Sequence, residues 1–277
     1  MLRIAERTTS AAVLAALLVL GLAGCDDDPV VVPDVTPPAA PQALASVTGD
    51  GRVTLTWVKN TEPDFYIYYV WRGPEYAGDY VKLGSTSTTT YVDETAENGA
   101  TYYYAVSAVD RSGNESALSV EAVFDTPRPE GFGLTLANAT LDPDALAGYD
   151  FSAGTRRTAD DIATDIFYAT GSGGLRFLVV RDDETFMQDA GYHELDKLDW
   201  VPDGGWAVAY EVEAILGHCY YVWTRDNHFA KVRVTGLDGE RVTLDWAYQL
   251  DPGNPELAPG ILTGERYHVA GVVAARP

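Results

Sequence analysis

Residues 193–197 carry the first half of a zinc-binding pattern. In the sequence H-E-x-x-H, two histidines four positions apart on a helix hold zinc, and the glutamate serves as the general base. His193 and Glu194 match the start of this pattern, but Lys197 stands where the second histidine is required. An ammonium group cannot coordinate zinc, so the sequence predicts no metal site here.

The other motifs that could support catalysis also fail on spacing. The Gly-Ser-Gly-Gly stretch at 171–174 lacks the spacing of a nucleophile elbow, and the Gly-Phe-Gly stretch at 131–133 lacks the third glycine of a dinucleotide loop. Neither of the two cysteines belongs to a Cys-x-x-Cys pair. We therefore predict no catalytic residue and no cofactor. An extracytoplasmic hydrolase whose catalytic residues come from distant parts of the chain is the alternative.

The N-terminus has the order of an export signal. Arg3 and Arg7 precede an apolar run at 11–22, which is followed by small residues before Cys25. The run is shorter than the roughly 20 residues of a membrane-spanning helix and fits a cleaved signal peptide. The sequence Leu-Ala-Gly-Cys at 22–25 resembles the lipobox of bacterial lipoproteins. The resemblance implies that residues 1–24 are removed and that Cys25 is lipidated. The membrane would then be a partner, and the protein would be anchored in the cell envelope on its periplasmic or surface side.

The composition is strongly acidic. The formal net charge is −22, and removal of residues 1–24, which contain two arginines and one glutamate, makes it −23. An acidic surface repels the phosphate backbone of nucleic acids. The charge therefore predicts that nucleic acid is not a partner.

Proline-rich breaks divide the mature chain into a stalk and two predicted domains. Five prolines between 26 and 41 favour an extended polyproline conformation, and we assign residues 25–37 to an acidic stalk. The second break assigns 127–131 to a linker. Residues 38–126 and 132–277 then form two domains. Short β-branched and aromatic runs separated by turn residues predict that both are all-β and antiparallel.

Residues 38–126 show the alternation of a β-sandwich. Val53, Leu55 and Trp57 alternate with threonines, and the apolar positions of 102–108 alternate in the same way. Trp57, the stretch Tyr-Tyr-Tyr-Ala-Val-Ser-Ala-Val-Asp at 102–110, and the following turn to Ser116 resemble the fibronectin type III family. The resemblance implies that Trp57 fills the core and that Tyr102 forms a tyrosine corner. Both roles are structural, and the turn lacks an Arg-Gly-Asp triplet.

In the second domain, residues 218–250 predict three antiparallel strands. The apolar pattern favours pairing Val222 with Ala230 in the first hairpin and Val232 with Leu244 in the second. This register places Lys231 opposite Asp245. One face then forms the core, with these members: Tyr220, Val222, Ala230, Val232, Val234, Val242, Leu244 and Trp246.

The opposite face of these strands carries Tyr221, Trp223 and Phe229. A solvated sheet face normally shows polar residues, so three large aromatics predict an outward platform for a ligand such as a glycan or an envelope protein. The other interpretation is that a further segment of the same domain covers them. The combined prediction is a lipid-anchored, extracytoplasmic, non-catalytic binding protein.

The stretches His-Cys-Tyr-Tyr-Val-Trp-Thr at 218–224 and Phe-Ala-Lys-Val-Arg-Val at 229–234 faintly resemble the HmuY family of haem-binding lipoproteins. The resemblance implies haem or metal binding by the second domain as a further alternative, with no ligating residue assigned. The predicted strands separate His218 and His228 by about 20 Å at 3.3 Å per residue, so the two cannot share one iron.

Overall fold

The computed structural model describes residues 33–120, 122–207, 209–257 and 260–262. Within these ranges the chain is all-β, as predicted, and its helical structure is limited to two three-residue 3-10 turns, Ser172–Gly174 and Leu195–Lys197. No helix in these ranges is long and apolar enough to cross a membrane. The predicted signal peptide at 1–24, Cys25 and most of the stalk lie outside the described residues.

The first seven strands form a two-layer sandwich. One antiparallel sheet has the order β1-β2-β5, and the other has the order β4-β3-β6-β7, with the short strand β18 paired to β7 at its edge. The bounds are β1 Gln42–Gly49, β2 Arg52–Val58, β3 Phe65–Gly73, β4 Val81–Thr86, β5 Thr90–Asp93, β6 Tyr102–Asp110, β7 Ala122–Asp125 and β18 Gly260–Leu262. This two-sheet arrangement is the β-sandwich that the resemblance to the fibronectin type III family implied.

Alternation along the strands builds the core of this sandwich as predicted. Val53 and Leu55 are fully buried, and Trp57 is buried and meets the Tyr68 ring edge-on at 5.2 Å between centroids. The hydroxyl of Tyr102 accepts a hydrogen bond of 3.2 Å from the backbone N–H of Glu97, five residues upstream. That bond is the tyrosine corner that the family resemblance implied.

A second sandwich follows, with its own core. Its sheets have the orders β10-β9-β11-β12-β14 and β13-β15-β16-β17-β8. The bounds are β8 Glu130–Ala137, β9 Gly148–Asp150, β10 Thr155–Arg157, β11 Ile166–Thr170, β12 Arg176–Val180, β13 Phe186–Tyr192, β14 Glu211–Glu213, β15 His218–Trp223, β16 Phe229–Leu237 and β17 Arg241–Gln249. All eight residues predicted to form the core face of β15–β17 are buried in its hydrophobic core.

The register of the β16–β17 hairpin differs from the prediction by two residues. Val232 faces Trp246 rather than Leu244, because a bulge between Val234 and Gly236 is combined with a tight turn at the hairpin end. A shift of two residues keeps every side chain on its predicted face. It changes the neighbour of Lys231, however, which lies opposite Ala247 and not opposite Asp245.

The segment that joins the sandwiches is buried and bonded to both of them. The carbonyl of Pro127 accepts a hydrogen bond from Gly99, and the N–H of Arg128 donates to Gly49, both in the first sandwich. The carbonyl of Pro129 accepts from Tyr248 in the second. Both sandwiches belong to one compact unit that begins at Val35. The predicted linker is therefore a packed joint, and its last residues already belong to β8.

Candidate functional site

The predicted aromatic platform does not face solvent. Trp223 and Phe229 are 0% and 1% exposed, and Tyr221 is half-buried. They lie on the sheet face opposite the core, as predicted, but they pack with Val201, Trp206 and Leu257 into a separate hydrophobic cluster. The prediction of an open ligand platform at Tyr221, Trp223 and Phe229 is wrong, because another part of the domain covers that face.

The cover is formed by residues 198–207, which we call the covering segment, together with 254–257. Trp206 lies over the cluster, with its ring centroid 5.6 Å from that of Trp223 and 6.4 Å from that of Phe229. Backbone hydrogen bonds from Val201 to Pro255 and from Leu257 to Asp199 join the two parts of the cover. This arrangement gives the aromatic cluster a structural role.

The described histidines and Cys219 occupy separate positions. His218 bonds Asp189 at 3.0 Å at one end of strand β15, whereas His228 lies beyond the other end, 3.3 Å from Asp226. Cys219 is fully buried and donates to the carbonyl of His193, and its burial raises the pKa of the thiol to about 11. His268 lies outside the described residues. The two histidines at opposite strand ends are too far apart to share one metal ion.

A cleft of about 380 Å³ lies between the two sandwiches. One wall is the outer face of the sheet β1-β2-β5, since Val47 and Thr54 point away from the core that Val53 and Leu55 fill. The other wall comes from the second sandwich and the turn Leu195–Lys197. The lining residues are Val47, Thr48, Gly49, Arg52, Thr54, Val92, Glu94, Arg128, Glu130, Phe132, Leu195, Asp196, Lys231 and Ala247. We call this the inter-sandwich cleft.

Arg128 is the most unusual residue of the cleft. The residue is 4% exposed, and its Nε and Nη1 atoms are buried without a hydrogen-bond partner in the part of the chain that the structure describes. Asp125 and Glu256 act on it electrostatically, but burial is the larger effect and lowers the pKa of the guanidinium. A buried charge without directly bonded partners is costly, so the position is suited to an incoming anion.

Lys231 is the second buried cation of the cleft. It is 1% exposed, and its Nζ atom donates a hydrogen bond of 3.0 Å to the carbonyl of Leu198 in the covering segment. Burial, together with the repulsion of Arg128, lowers the pKa of Lys231 to about 7. A negative ligand near Lys231 would stabilise the ammonium form.

Two buried carboxyl groups flank Arg128 on the side of the joint. Asp125 accepts a hydrogen bond of 2.6 Å from Thr48, and Glu256 accepts one of 3.0 Å from Thr126. Burial raises the pKa of Asp125 to about 6 and that of Glu256 to about 8, and Asp125 adds to the shift of Glu256. The raised pKa of Glu256 weakens the negative charge that it offers Arg128 at neutral pH.

The residues that line the cleft can bind a polar ligand. Its described lining residues include no histidine, cysteine or serine, so they hold no nucleophile paired with an imidazole base. They do combine buried cations with exposed carboxylates and with Phe132, whose ring is 73% exposed. Such a mixture can hold a ligand that carries an anionic group, polar groups and an apolar face.

Sequence reasoning missed this cleft. Its two buried cations come from the joint and from strand β16, and a third, exposed cation, Arg52, comes from strand β2. A local signal was present in the sequence Pro127-Arg128-Pro129, where an arginine is fixed between two residues of restricted backbone.

No family model matches the chain. Amylopullulanase of Thermoanaerobacterium thermosulfurigenes is 38% identical over 100 residues, which are 36% of this chain and 5% of that protein. Exoglucanase B of Cellulomonas fimi is 29% identical over 160 residues, which are 50% of this chain and 14% of that protein. The chain thus spans only a small part of the curated relatives it matches.

Solved structures give matches of similar extent. A Fn3-like protein from Clostridium thermocellum is 28% identical, with a TM-score of 0.29, and the match covers 35% of this chain and all of that one. A beta-1,2-glucanase from Parabacteroides distasonis is 27% identical, with a TM-score of 0.31, and the match covers 36% of this chain and 14% of that one.

Proposed function

We propose that this chain is a lipid-anchored, extracytoplasmic, non-catalytic binding protein whose ligand site is the inter-sandwich cleft. The observation that carries the proposal is the buried Arg128, which lines the cleft and has two nitrogen atoms without a hydrogen-bond partner among the described residues. A group of this kind is expected where a ligand completes the hydrogen bonding. The cleft volume of about 380 Å³ suits one or two small units of a larger ligand.

Relatives support a ligand from the chemistry of glycans. The matched proteins include amylopullulanases, an exoglucanase and an alpha-amylase by name, and the matches cover small parts of them. Because the matches cover only 5% to 14% of these proteins, we infer that the shared segment is an accessory module rather than the whole catalytic apparatus. We infer that the fibronectin type III sandwich contributes one wall of a glycan site and spaces it from the membrane.

Anchoring through Cys25 can be tested by fractionation. We expect the native protein to sediment with membranes and to incorporate a labelled fatty acid, because two or more acyl chains give stable attachment. Cys25→Ala should abolish the label and release the protein. Cys219→Ala, which changes the only other cysteine, should keep the label. Membrane sedimentation and label that survive Cys25→Ala would refute the anchor.

The position of the ligand site can be tested with a panel of trisaccharides. We expect at least one of maltotriose, cellotriose, chitotriose and trigalacturonate to raise the melting temperature of the full mature chain, and Phe132→Ala to remove that rise. Phe132 is exposed, so its truncation should not disturb folding. Tyr66→Ala, which removes an exposed ring from the first sandwich, is the matched control. A response that Phe132→Ala leaves unchanged would exclude the cleft as the site.

A further inference from the structure

Two of the positive charges that line the inter-sandwich cleft are more deeply buried than its negative charges. Arg128 and Lys231 are buried at 4% and 1% exposure, whereas Glu94 and Asp196 are exposed and Glu130 is half-buried. An anion that reaches the cleft floor must therefore pass three carboxylates. A small inorganic anion is repelled by these carboxylates, because it has no uncharged part to place beside them.

A single sugar unit with one carboxylate and several hydroxyl groups would fit both the buried cations and the more exposed carboxylates. Its carboxylate can accept hydrogen bonds from the flat guanidinium of Arg128, which suits two-point pairing with a carboxylate. Its hydroxyl groups can donate to Glu94 and Glu130, since ionised carboxylates only accept. The exposed ring of Phe132 offers an apolar surface for the C–H face of a sugar ring.

We propose that the inter-sandwich cleft binds a uronic acid unit of an acidic glycan, with Arg128 and Lys231 receiving its carboxylate and Phe132 packing against its ring. The inference rests on the proposed function and narrows the ligand of the same cleft. A carboxylate paired with one edge of the guanidinium would give a partner to one of the two Arg128 nitrogen atoms, Nε or Nη1, that have none among the described residues.

The test is calorimetric titration of the full mature chain with trigalacturonate, maltotriose and inorganic phosphate. We expect trigalacturonate to bind at least tenfold more tightly than maltotriose, which has no carboxylate for a charge-assisted hydrogen bond to Arg128, and at least tenfold more tightly than phosphate, which has no sugar ring to pack against Phe132. Phe132→Ala should weaken this binding about tenfold, and Arg128→Met should abolish it. Arg52→Gln, at the exposed rim, should change the affinity by less than Arg128→Met does.

The outcomes separate this inference from the proposed function. Maltotriose binding equal to that of trigalacturonate, and sensitive to Phe132→Ala, would overturn the acidic ligand while keeping the cleft as the binding site. Phosphate that binds as tightly as trigalacturonate would also overturn the inference, since the sugar part of the ligand would then contribute nothing to the affinity. If Arg128→Met does not fold, Phe132→Ala and the comparison of the three probes still decide the result.

Discussion

Replacing Trp223 by alanine is expected to lower the free energy of unfolding by about 3 to 5 kcal/mol. The indole is fully buried, and it packs between Trp206, Phe186 and Phe229 at centroid distances of 5.4–6.0 Å. Truncation leaves a cavity, which residues 198–207 and 254–257 can fill only by moving, so the cost of an empty cavity adds to the lost burial. It also removes the hydrogen bond of 3.0 Å from the indole N–H to Asn227. Thermal unfolding should show a drop of roughly 6 to 20 °C for a chain of this size.

Tyr210→Ala is a matched control for this change. Tyr210 is an aromatic residue of the same sandwich with 56% exposure, and its truncation should cost no more than about 0.5 kcal/mol. An unchanged melting temperature for Trp223→Ala would mean that the ring is not packed under the covering segment. That result would support the interpretation of Tyr221, Trp223 and Phe229 as a ligand platform, because a platform requires this sheet face to be exposed to solvent.

Local alternation was sufficient to predict which residues of β2 and of β15–β17 face the two cores. Val53, Leu55 and Trp57 in β2, and Val222 and Val232 in the second sandwich, are all buried as their spacing indicates. The period of a strand fixes the face of each side chain regardless of its partner. This is why the face assignment survived the two-residue error in the β16–β17 register.

The register itself depends on features that alternation does not record. The bulge between Val234 and Gly236 adds a residue to one strand without changing which faces are apolar. The cover over Trp223 was equally hidden, because residues 198–207 form no regular strand and reach Trp223 through tertiary contacts alone. The sequence pattern showed that Tyr221, Trp223 and Phe229 lie on the sheet face opposite the core. It could not show which segment packs against that face.

The inter-sandwich cleft was beyond sequence reasoning for a different reason. Pro127-Arg128-Pro129 has the composition of a flexible linker, yet its backbone is hydrogen-bonded to both sandwiches. Lys231 was expected to lie opposite Asp245. The observed register places it opposite Ala247, and among the described residues its Nζ atom has a hydrogen bond to the carbonyl of Leu198. The site thus arises from packing between domains, and each of its residues looks ordinary in its own segment.

The same packing makes the joint sensitive to pH. Glu256 is 3% exposed, and its titratable neighbours are Asp125, Arg128 and Tyr103. Burial raises its pKa from 4.5 to about 8, so the folded state holds a proton that the unfolded chain releases above pH 4.5. The stability that this proton provides is present at low pH and is lost as pH rises toward 8.

Stability is therefore expected to fall by a few kcal/mol between pH 5 and pH 7.5, and Glu256→Gln should remove most of that fall. Glutamine keeps an oxygen acceptor for the hydroxyl of Thr126 but carries no titrating proton. Asp125 and Asp165 contribute to the decline mainly below about pH 6, and Lys231, whose pKa is lowered to about 7, adds stability mainly above that value. The comparison with Glu256→Gln therefore isolates the contribution of Glu256, because the other three groups titrate in both proteins. Urea unfolding at each pH measures the slope, and Glu240→Gln, at an exposed position, controls for the loss of one charge. An equal decline in Glu256→Gln and in the unmodified chain would show that Glu256 is ionised in the folded protein.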